Sequence, residues 1–342
     1  MRPFLFFADE AERFNAWLKG SGFSKIILVA DANTNGFCVP LLRAKIPVLQ
    51  RVSLLVIPQG EVHKNLETVT YIWHEMDRLG VDRYSLIVNV GGGVVSDMAG
   101  FAAAIYKRGI AYVNIPTTLI AMLDASVGGK TGIDFHHVKN HLGCVHHPLA
   151  VFVDPHFLNT LDDRILRSGI SEAIKHHILA GQKEDYRQQT IPSFYTLEAI
   201  RWSLEFKLAI VEQDPNDLHI RQQLNLGHTI GHAIESDALT SSYPLYHGEA
   251  IWLGLLIELR ISELLFHYPA THRLALLEAW SNYFPHLSVE LQQDRLIQFL
   301  QQDKKNKQGL RMSLMSQIGE CKTGVEVSVD VWQKAINSFR SM

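Results

Sequence analysis

The chain has 342 residues, 47% hydrophobic and 20% charged with 12 prolines, an ordinary globular composition that can fill a sizeable core. A formal net charge of -3 gives no reason to expect a nucleic-acid partner or a polybasic membrane patch, although local Lys and Arg clusters can still bind small anions. Three widely spaced cysteines (Cys38, Cys144 and Cys321) form no Cys-x-x-Cys pair, so neither a disulfide framework nor a thiolate zinc site is suggested.

The apolar start Phe4-Leu5-Phe6-Phe7 is interrupted by Asp9, Glu10 and Glu12, too short and too acidic for a signal peptide. No apolar run of about 18 residues follows, so a reducing cytoplasmic setting and no membrane partner are expected. At roughly 150 residues per domain, two domains are expected.

In chain order, Lys25–Ala30 is a short apolar β run ending at Asp31-Ala32-Asn33, and Val52–Ile57 is another, closed by Pro58-Gln59-Gly60. Leu66, Val69, Ile72, Trp73, Met76 and Leu79 recur at helical spacing. Then come strand Leu86–Val90, a triple glycine, a small-residue helix from about Asp97, and strand Ala111–Ile115. This alternation predicts an α/β, Rossmann-like nucleotide-binding domain over residues 1–155. Beyond Asp154-Pro155, long amphipathic stretches (Asp162–Ala180, Ser193–Gln213, Gly248–Phe266, Ala270–Tyr283) predict a mainly α-helical, metal-binding domain over 156–342. A late hairpin is expected around Lys307-Gln308-Gly309, leading into Arg311–Met315.

Two stretches carry chemistry. Gly91-Gly92-Gly93-Val94-Val95-Ser96-Asp97 lies where a strand passes into a helix, where glycines let a phosphate approach backbone N–H groups and the helix N-terminus. The acidic ribose partner expected about 20 residues on is missing, and Asp31 and Asn33, ending an earlier strand, are alternatives. Further on, His228 and His232 stand four apart on one helical face, followed by His247 at a helix start, with Glu172 upstream on another helix. Imidazoles with a carboxylate suit zinc, and three protein ligands would leave an open catalytic position.

These residues resemble the 3-dehydroquinate synthase family, within the sugar-phosphate cyclases. The resemblance runs from Asp31 to about Ile318. It is most specific at Gly91–Asp97, Tyr106-Lys107-Arg108-Gly109, Pro116-Thr117-Thr118-Leu119, Asp124–Gly132 and Lys139-Asn140. It implies metal ligands Glu172, His228 and His247 for zinc, or cobalt in its place, with His232 handling protons beside the metal. It implies NAD contacts at Asp31, Asn33, Glu61, Lys64, Gly92, Gly93, Asp97, Thr117, Thr118, Lys139, Phe157 and Thr160. Substrate contacts fall on Asp124, Lys130, Asn140, Lys175, Lys207, Arg221, Asn225 and Lys304 or Lys305. Arg108 resembles an arginine that reaches the phosphate in a neighbouring subunit, which implies a homodimer.

The implied activity is a phosphorus–oxygen lyase of the shikimate pathway, leading to aromatic amino acids. It converts the small sugar phosphate 3-deoxy-D-arabino-heptulosonate 7-phosphate to 3-dehydroquinate and phosphate. The steps are transient oxidation with NAD, β-elimination of phosphate, reduction, and an intramolecular aldol closure. Ser96, Asp134, Val138 and Asp217 depart from the family pattern and touch cofactor geometry and the substrate loops. Alternatives are another sugar-phosphate cyclase, a glycerol- or polyol-type dehydrogenase using the Glu172/His176 spacing, and a binding protein without turnover.

Overall fold

The computed structural model describes residues 2–136, 138–182, 189–238, 244–285, 287, 295–296, 300 and 310–339. The chain divides into two compact units, Met1–Asp162 with Tyr195–Leu208, and Asp163–Phe194 with Ala209–Met342.

In the first unit the elements are β1 (Phe4–Phe7), α1 (Ala11–Gly20), β2 (Ile26–Asp31), α2 (Ala32–Lys45), β3 (Ser53–Ile57) and α3 (Leu66–Arg78). They continue with β4 (Leu86–Gly91), α4 (Gly93–Ile105), β5 (Ala111–Pro116), β6 (Lys130–Phe135), β7 (Val138–Val145) and β8 (Ala150–Val153). Six strands form a parallel sheet in the order β1-β8-β5-β4-β2-β3. Every residue of β4 is buried, as befits a parallel strand covered on both faces. Val69, Ile72 and Met76 of α3 join the small-residue face of α4 (Ala99, Ala102, Ala103) in one core over Ile27, Val29 and Ile87.

The chain leaves β2 toward β3 on one side and leaves β4 toward β5 on the other. The crevice at the carboxyl ends of these neighbours is therefore a topological switch point, the place where open α/β sheets bind ligands. Asp31 and Gly91 close the two strands there.

The triple glycine spans the end of β4, the cap and the first residue of α4, so the helix begins at Gly93 and not near Asp97 as the sequence suggested. Glycine's poor helix propensity hid the first turn, and at the strand end before it a Cβ on Gly91 would lie 2.4 Å from Val95 Cγ2. The antiparallel pair β6–β7 was not anticipated, and neither were β1 and β8.

The second unit contains α5 (Asp163–Ser168), α6 (Ile170–Leu179), the end of α7 (Leu197–Gln213), α8 (His228–Ala238), α9 (His247–Phe266) and α10 (Thr271–Tyr283). A hairpin, β9 (Leu310–Gln317) and β10 (Glu320–Val327), and α11 (Val329–Asn337) complete it. The hairpin turns at Ile318-Gly319, where Gly319 takes φ 76°. The turn expected at 307–309 lies outside the described residues, and Arg311–Met315 forms the first strand. α9 is the axis of this unit, packed by α6, α8, α10, α11 and β9, and it is buried on every side from Gly248 to Leu259. Among the described residues no helix is long and apolar enough to cross a membrane.

Candidate active site

At the switch point of the first unit, the Asp31 carboxylate caps α2 by accepting the Thr34 N–H at 2.8 Å, and Asn33 is exposed one residue into the helix. Across the crevice a Cβ on Gly92 would meet Thr118 Cγ2 at 3.0 Å, and one on Gly93 would meet Ala125 Cβ at 3.5 Å. A side chain at Gly92 would therefore crowd Thr118, whereas a methyl at Gly93 would make only ordinary contact. Thr117 donates its N–H to Gly91 O at 3.0 Å, and its buried hydroxyl lies against the Cys38 thiol. Cys38 Sγ lies 3.6 Å from Thr160 Oγ1, burial pushing the thiol pKa up, and Phe157 is buried nearby in the chain. Ser96 is buried and donates its hydroxyl to Gly93 O at 3.0 Å, so it braces the turn from within.

A second group gathers around Lys64. Its ammonium donates to Asp97 Oδ2 and to Asn140 Oδ1, both at 2.6 Å. Burial works against the Lys64 charge, but Asp97 and Glu61 outweigh it and raise its pKa; burial also raises that of Asp97. Lys139 Nζ stands 3.5 Å from Glu61 Oε1. Asn140 is held with φ 51°, its N–H donating to Asp134 Oδ1 at 2.8 Å, while the Asp134 N–H donates to Lys64 O at 2.8 Å. Asp134, a departure from the family pattern, thus ties the β6–β7 turn to Lys64.

Lys207 is 5% exposed and reaches Asp124 twice, at 2.7 Å to Oδ1 and 2.6 Å to the backbone oxygen. Lys130 is exposed at the start of β6. Beneath this segment a buried relay runs from Asn89 Nδ2 to Asn114 Oδ1 and from Asn114 Nδ2 to Ser126 O, each 2.9 Å. Lys107 and Arg108 are exposed and both adopt left-handed backbone, φ 48° and 67°.

In the second unit α6, α8 and α9 present the other residues. Glu172 and Lys175 are both 1% exposed on one face of α6, with Nζ against Oε2. Beyond its charged contacts, neither Glu172 oxygen has a hydrogen-bond partner. Glu172 Oε1 lies 3.6 Å from His228 Nε2. The rings of His228, His232 and His247 form a triangle with centroid separations of 5.3, 5.5 and 5.7 Å. One ring nitrogen from each falls within 4.8 Å of the others, close enough to share a cation. A His176 ring nitrogen also falls within 4.8 Å of a Glu172 oxygen.

Tautomers follow from the partners. His228 Nδ1 is 3.2 Å from Leu226 O, which can only accept, so Nδ1 carries the proton and Nε2 the lone pair. His247 Nδ1 faces Glu235 Oε2 at 3.3 Å with the same consequence. Arg221 is buried, its guanidinium donating to Pro215 O at 2.8 Å and its N–H to Asp214 Oδ2 at 3.1 Å. Asp217 takes φ 58° in the same turn, and Asn225 ends the short helix Ile220–Asn225. Lys304 and Lys305 lie outside the described residues.

The model of the 3-dehydroquinate synthase N-terminal region matches residues 54–168, and that of the 3-dehydroquinate synthase C-terminal region matches residues 169–306. A curated 3-dehydroquinate synthase from Parabacteroides distasonis is 36% identical over 97% of this chain and 96% of its own length. The chain belongs to the 3-dehydroquinate synthase family. Membership makes it an enzyme of the sugar-phosphate cyclase kind. Among solved structures, 2-deoxy-scyllo-inosose synthase complexed with carbaglucose-6-phosphate, NAD+ and Co2+ superposes with a TM-score of 0.84 at 25% identity, covering 98% of this chain and 96% of that one. For 2-epi-5-epi-valiolone synthase from Streptomyces hygroscopicus subsp. jinggangensis 5008 with NAD+ and Zn2+ bound, the TM-score is 0.82 at 26% identity over 99% and 96% of the two chains.

Within this 3-dehydroquinate synthase family member, sequence reasoning overlooked the carboxylates that hold the histidines. Glu249, 1% exposed, receives the Arg164 guanidinium as a fork at 2.7 and 2.8 Å and accepts the Tyr246 N–H at 2.8 Å, fixing the turn before His247. Glu235 sits three residues after His232 and seven after His228, a spacing that marks one helical face and was there to be read. Glu258 lies in an apolar helix with no motif around it. Burial pushes its carboxyl up to about 8 against the pull of backbone N–H groups.

Proposed function

We propose that this chain is a 3-dehydroquinate synthase, a phosphorus–oxygen lyase that turns 3-deoxy-D-arabino-heptulosonate 7-phosphate into 3-dehydroquinate and phosphate. The observation that carries the reading is the group of His228, His232 and His247 beside a buried Glu172 whose oxygens have no hydrogen-bond partner beyond charged contacts, in a chain of this family. That donor set fits a divalent metal. The crevice at the strand-to-helix turn, where Gly92 keeps the backbone open, fits a dinucleotide.

Glu172, His228 and His247 would hold zinc or cobalt. Asp31, Asn33, Glu61, Lys64, Gly92, Gly93, Asp97, Thr117, Thr118, Lys139, Phe157 and Thr160 would line the NAD site. When bound, the metal supplies Lewis acidity toward the substrate hydroxyls and NAD+ accepts and returns one hydride, so no net oxidation occurs.

The remaining chemistry belongs to the side chains. In the second unit, His232 shuttles protons with Asn225, and Lys175 and Arg221 supply fixed positive charge for the substrate's carboxylate and phosphate. Lys175 and the metal both neutralise Glu172, so each lowers the charge that the other must balance. In the first unit, Lys130 and Asn140 engage the substrate, and Lys207 sets Asp124. Lys304 would add a further cation. Arg108, on its left-handed turn, reaches the phosphate bound by a second copy, making a homodimer. The enzyme works in the cytoplasm.

Phosphate release from the heptulosonate phosphate, assayed on the purified chain and on His228→Ala, tests this. Activity should be lost in the variant and after chelation, with no NADH accumulating. Full activity and metal content in His228→Ala would remove the metal site, and NADH rising in step with product would remove the cyclase reading.

A further inference from the structure

Glu258 is fully buried in the middle of α9, where the run Ala250–Leu259 is otherwise apolar or small. It reaches across to another helix. Oε2 accepts the Gly227 N–H at 2.6 Å and Oε1 accepts the Ile230 N–H at 3.0 Å, with the Thr229 N–H also directed at the carboxyl. These are among the first N–H groups of α8, donors that have no partner within their own helix.

A helix usually supplies its own cap from a Ser, Thr, Asp or Asn side chain. Here the residue before His228 is Gly227, which has no side chain and takes φ 81°. A Cβ on it would lie 2.8 Å from Leu255 Cγ, and one on Gly254 would lie 2.0 Å from Gly227 O. So the crossing of α8 over α9 leaves no space for a local cap, and the acceptor comes from α9 instead. Gly254 and Glu258 are one turn apart, so a single face of α9 sets both the closeness and the register of the crossing.

That register matters for chemistry. α8 carries His228 as its first residue and His232 one turn on, while α9 carries His247 as its first residue. The triangle of imidazoles is therefore as well defined as the placement of α8 against α9. We infer that Glu258 is a positioning residue for the metal centre, capping the His228 helix from α9 and thereby setting the separation of the three imidazoles. The inference rests on the metal reading above.

The test uses the full chain, with zinc affinity measured by chelator competition and the absorption spectrum of the cobalt-loaded protein. Glu258→Gln replaces one acceptor by an amide donor facing an N–H. It should weaken zinc by about tenfold to a hundredfold, the usual effect of losing a group that holds a ligand in place, and should change the cobalt spectrum. A role in stability alone would lower the thermal midpoint of the metal-free protein and leave affinity and spectrum as they were. If Glu258→Gln does not fold, Glu258→Asp, one methylene shorter, gives the reading, with a loss of at least about tenfold expected on the same ground. Zinc affinity within twofold of the parent in a folded variant overturns the inference while the metal reading stands. Failure of the parent chain to bind zinc overturns both.

Discussion

The Glu235 carboxylate stands 3.3 Å from Nδ1 of His247, twelve residues away on the preceding helix. This contact fixes which nitrogen of the ring carries the proton and puts the lone pair on Nε2, the atom that the proposed metal would use. Glu235→Gln, in which the amide can turn either its oxygen or its NH2 toward the ring, should weaken zinc by about tenfold to a hundredfold. Competition titration against a chromophoric chelator measures it. An unchanged affinity would reduce the contact to packing.

Lys207 and Asp124 are paired at 2.7 Å in the first unit, with the lysine buried. Lys207→Met removes the ammonium from both the carboxylate and the backbone oxygen of Asp124. A hydrogen bond to a charged group is worth about 1.5–3 kcal/mol, so kcat/KM for phosphate release should fall by roughly tenfold to a hundredfold with the fold intact. Wild-type kcat/KM in the variant would confine the pair to holding the Ala121–Val127 turn.

Gly92→Ala places a methyl 3.0 Å from Thr118 Cγ2. Overpacking of this kind costs about 1–3 kcal/mol, so NAD+ should bind roughly tenfold more weakly, as read by calorimetry. Adding Thr118→Ser deletes the crowded methyl and keeps the hydroxyl, and should recover most of the loss. Without recovery, Thr118 is not the obstacle.

Burial lowers His177 from its ordinary value of 6.5 to about 4. The folded state therefore resists protonation that the unfolded chain accepts. By this linkage, the stability contributed by keeping the ring neutral is fully present above about pH 6.5 and is lost as pH falls toward about 4. The whole effect is at most about 3 kcal/mol, at 1.36 kcal/mol per pKa unit. Urea unfolding of the metal-free protein at successive pH values should show His177→Phe to be less acid-sensitive than the parent through that window. Parallel curves would assign the acid loss to other groups.

The parallel sheet was legible because its strands are buried on both faces and so read as unbroken apolar runs, Leu86–Val90 most clearly. β7 was not, because most of its residues face water and Lys139-Asn140-His141 have no strand signature. Glu172, His228, His232 and His247, the candidate metal group, could be picked by chemical type and spacing. What holds them could not: Glu249 meets Arg164 across 85 residues of chain, and Glu258 meets Gly227 across 31. Such pairings are set by helix crossings, which periodicity along one helix does not encode. Asp134 drew notice only as a departure, although its carboxylate and N–H join the Asn140 turn to Lys64.

The segment Tyr195–Leu208 belongs with the first unit although it follows thirty-two residues of the second, Asp163–Phe194. Ile200, Leu204 and Leu208 are buried, and the Arg201 guanidinium lies 4.1 Å over the Phe7 ring. A growing chain therefore cannot complete its nucleotide-binding half when residue 162 leaves the ribosome; that half must wait for a helix made later. Residues 1–162 expressed alone would lack these side chains and leave apolar surface uncovered, whereas a version with Tyr195–Leu208 grafted on would not.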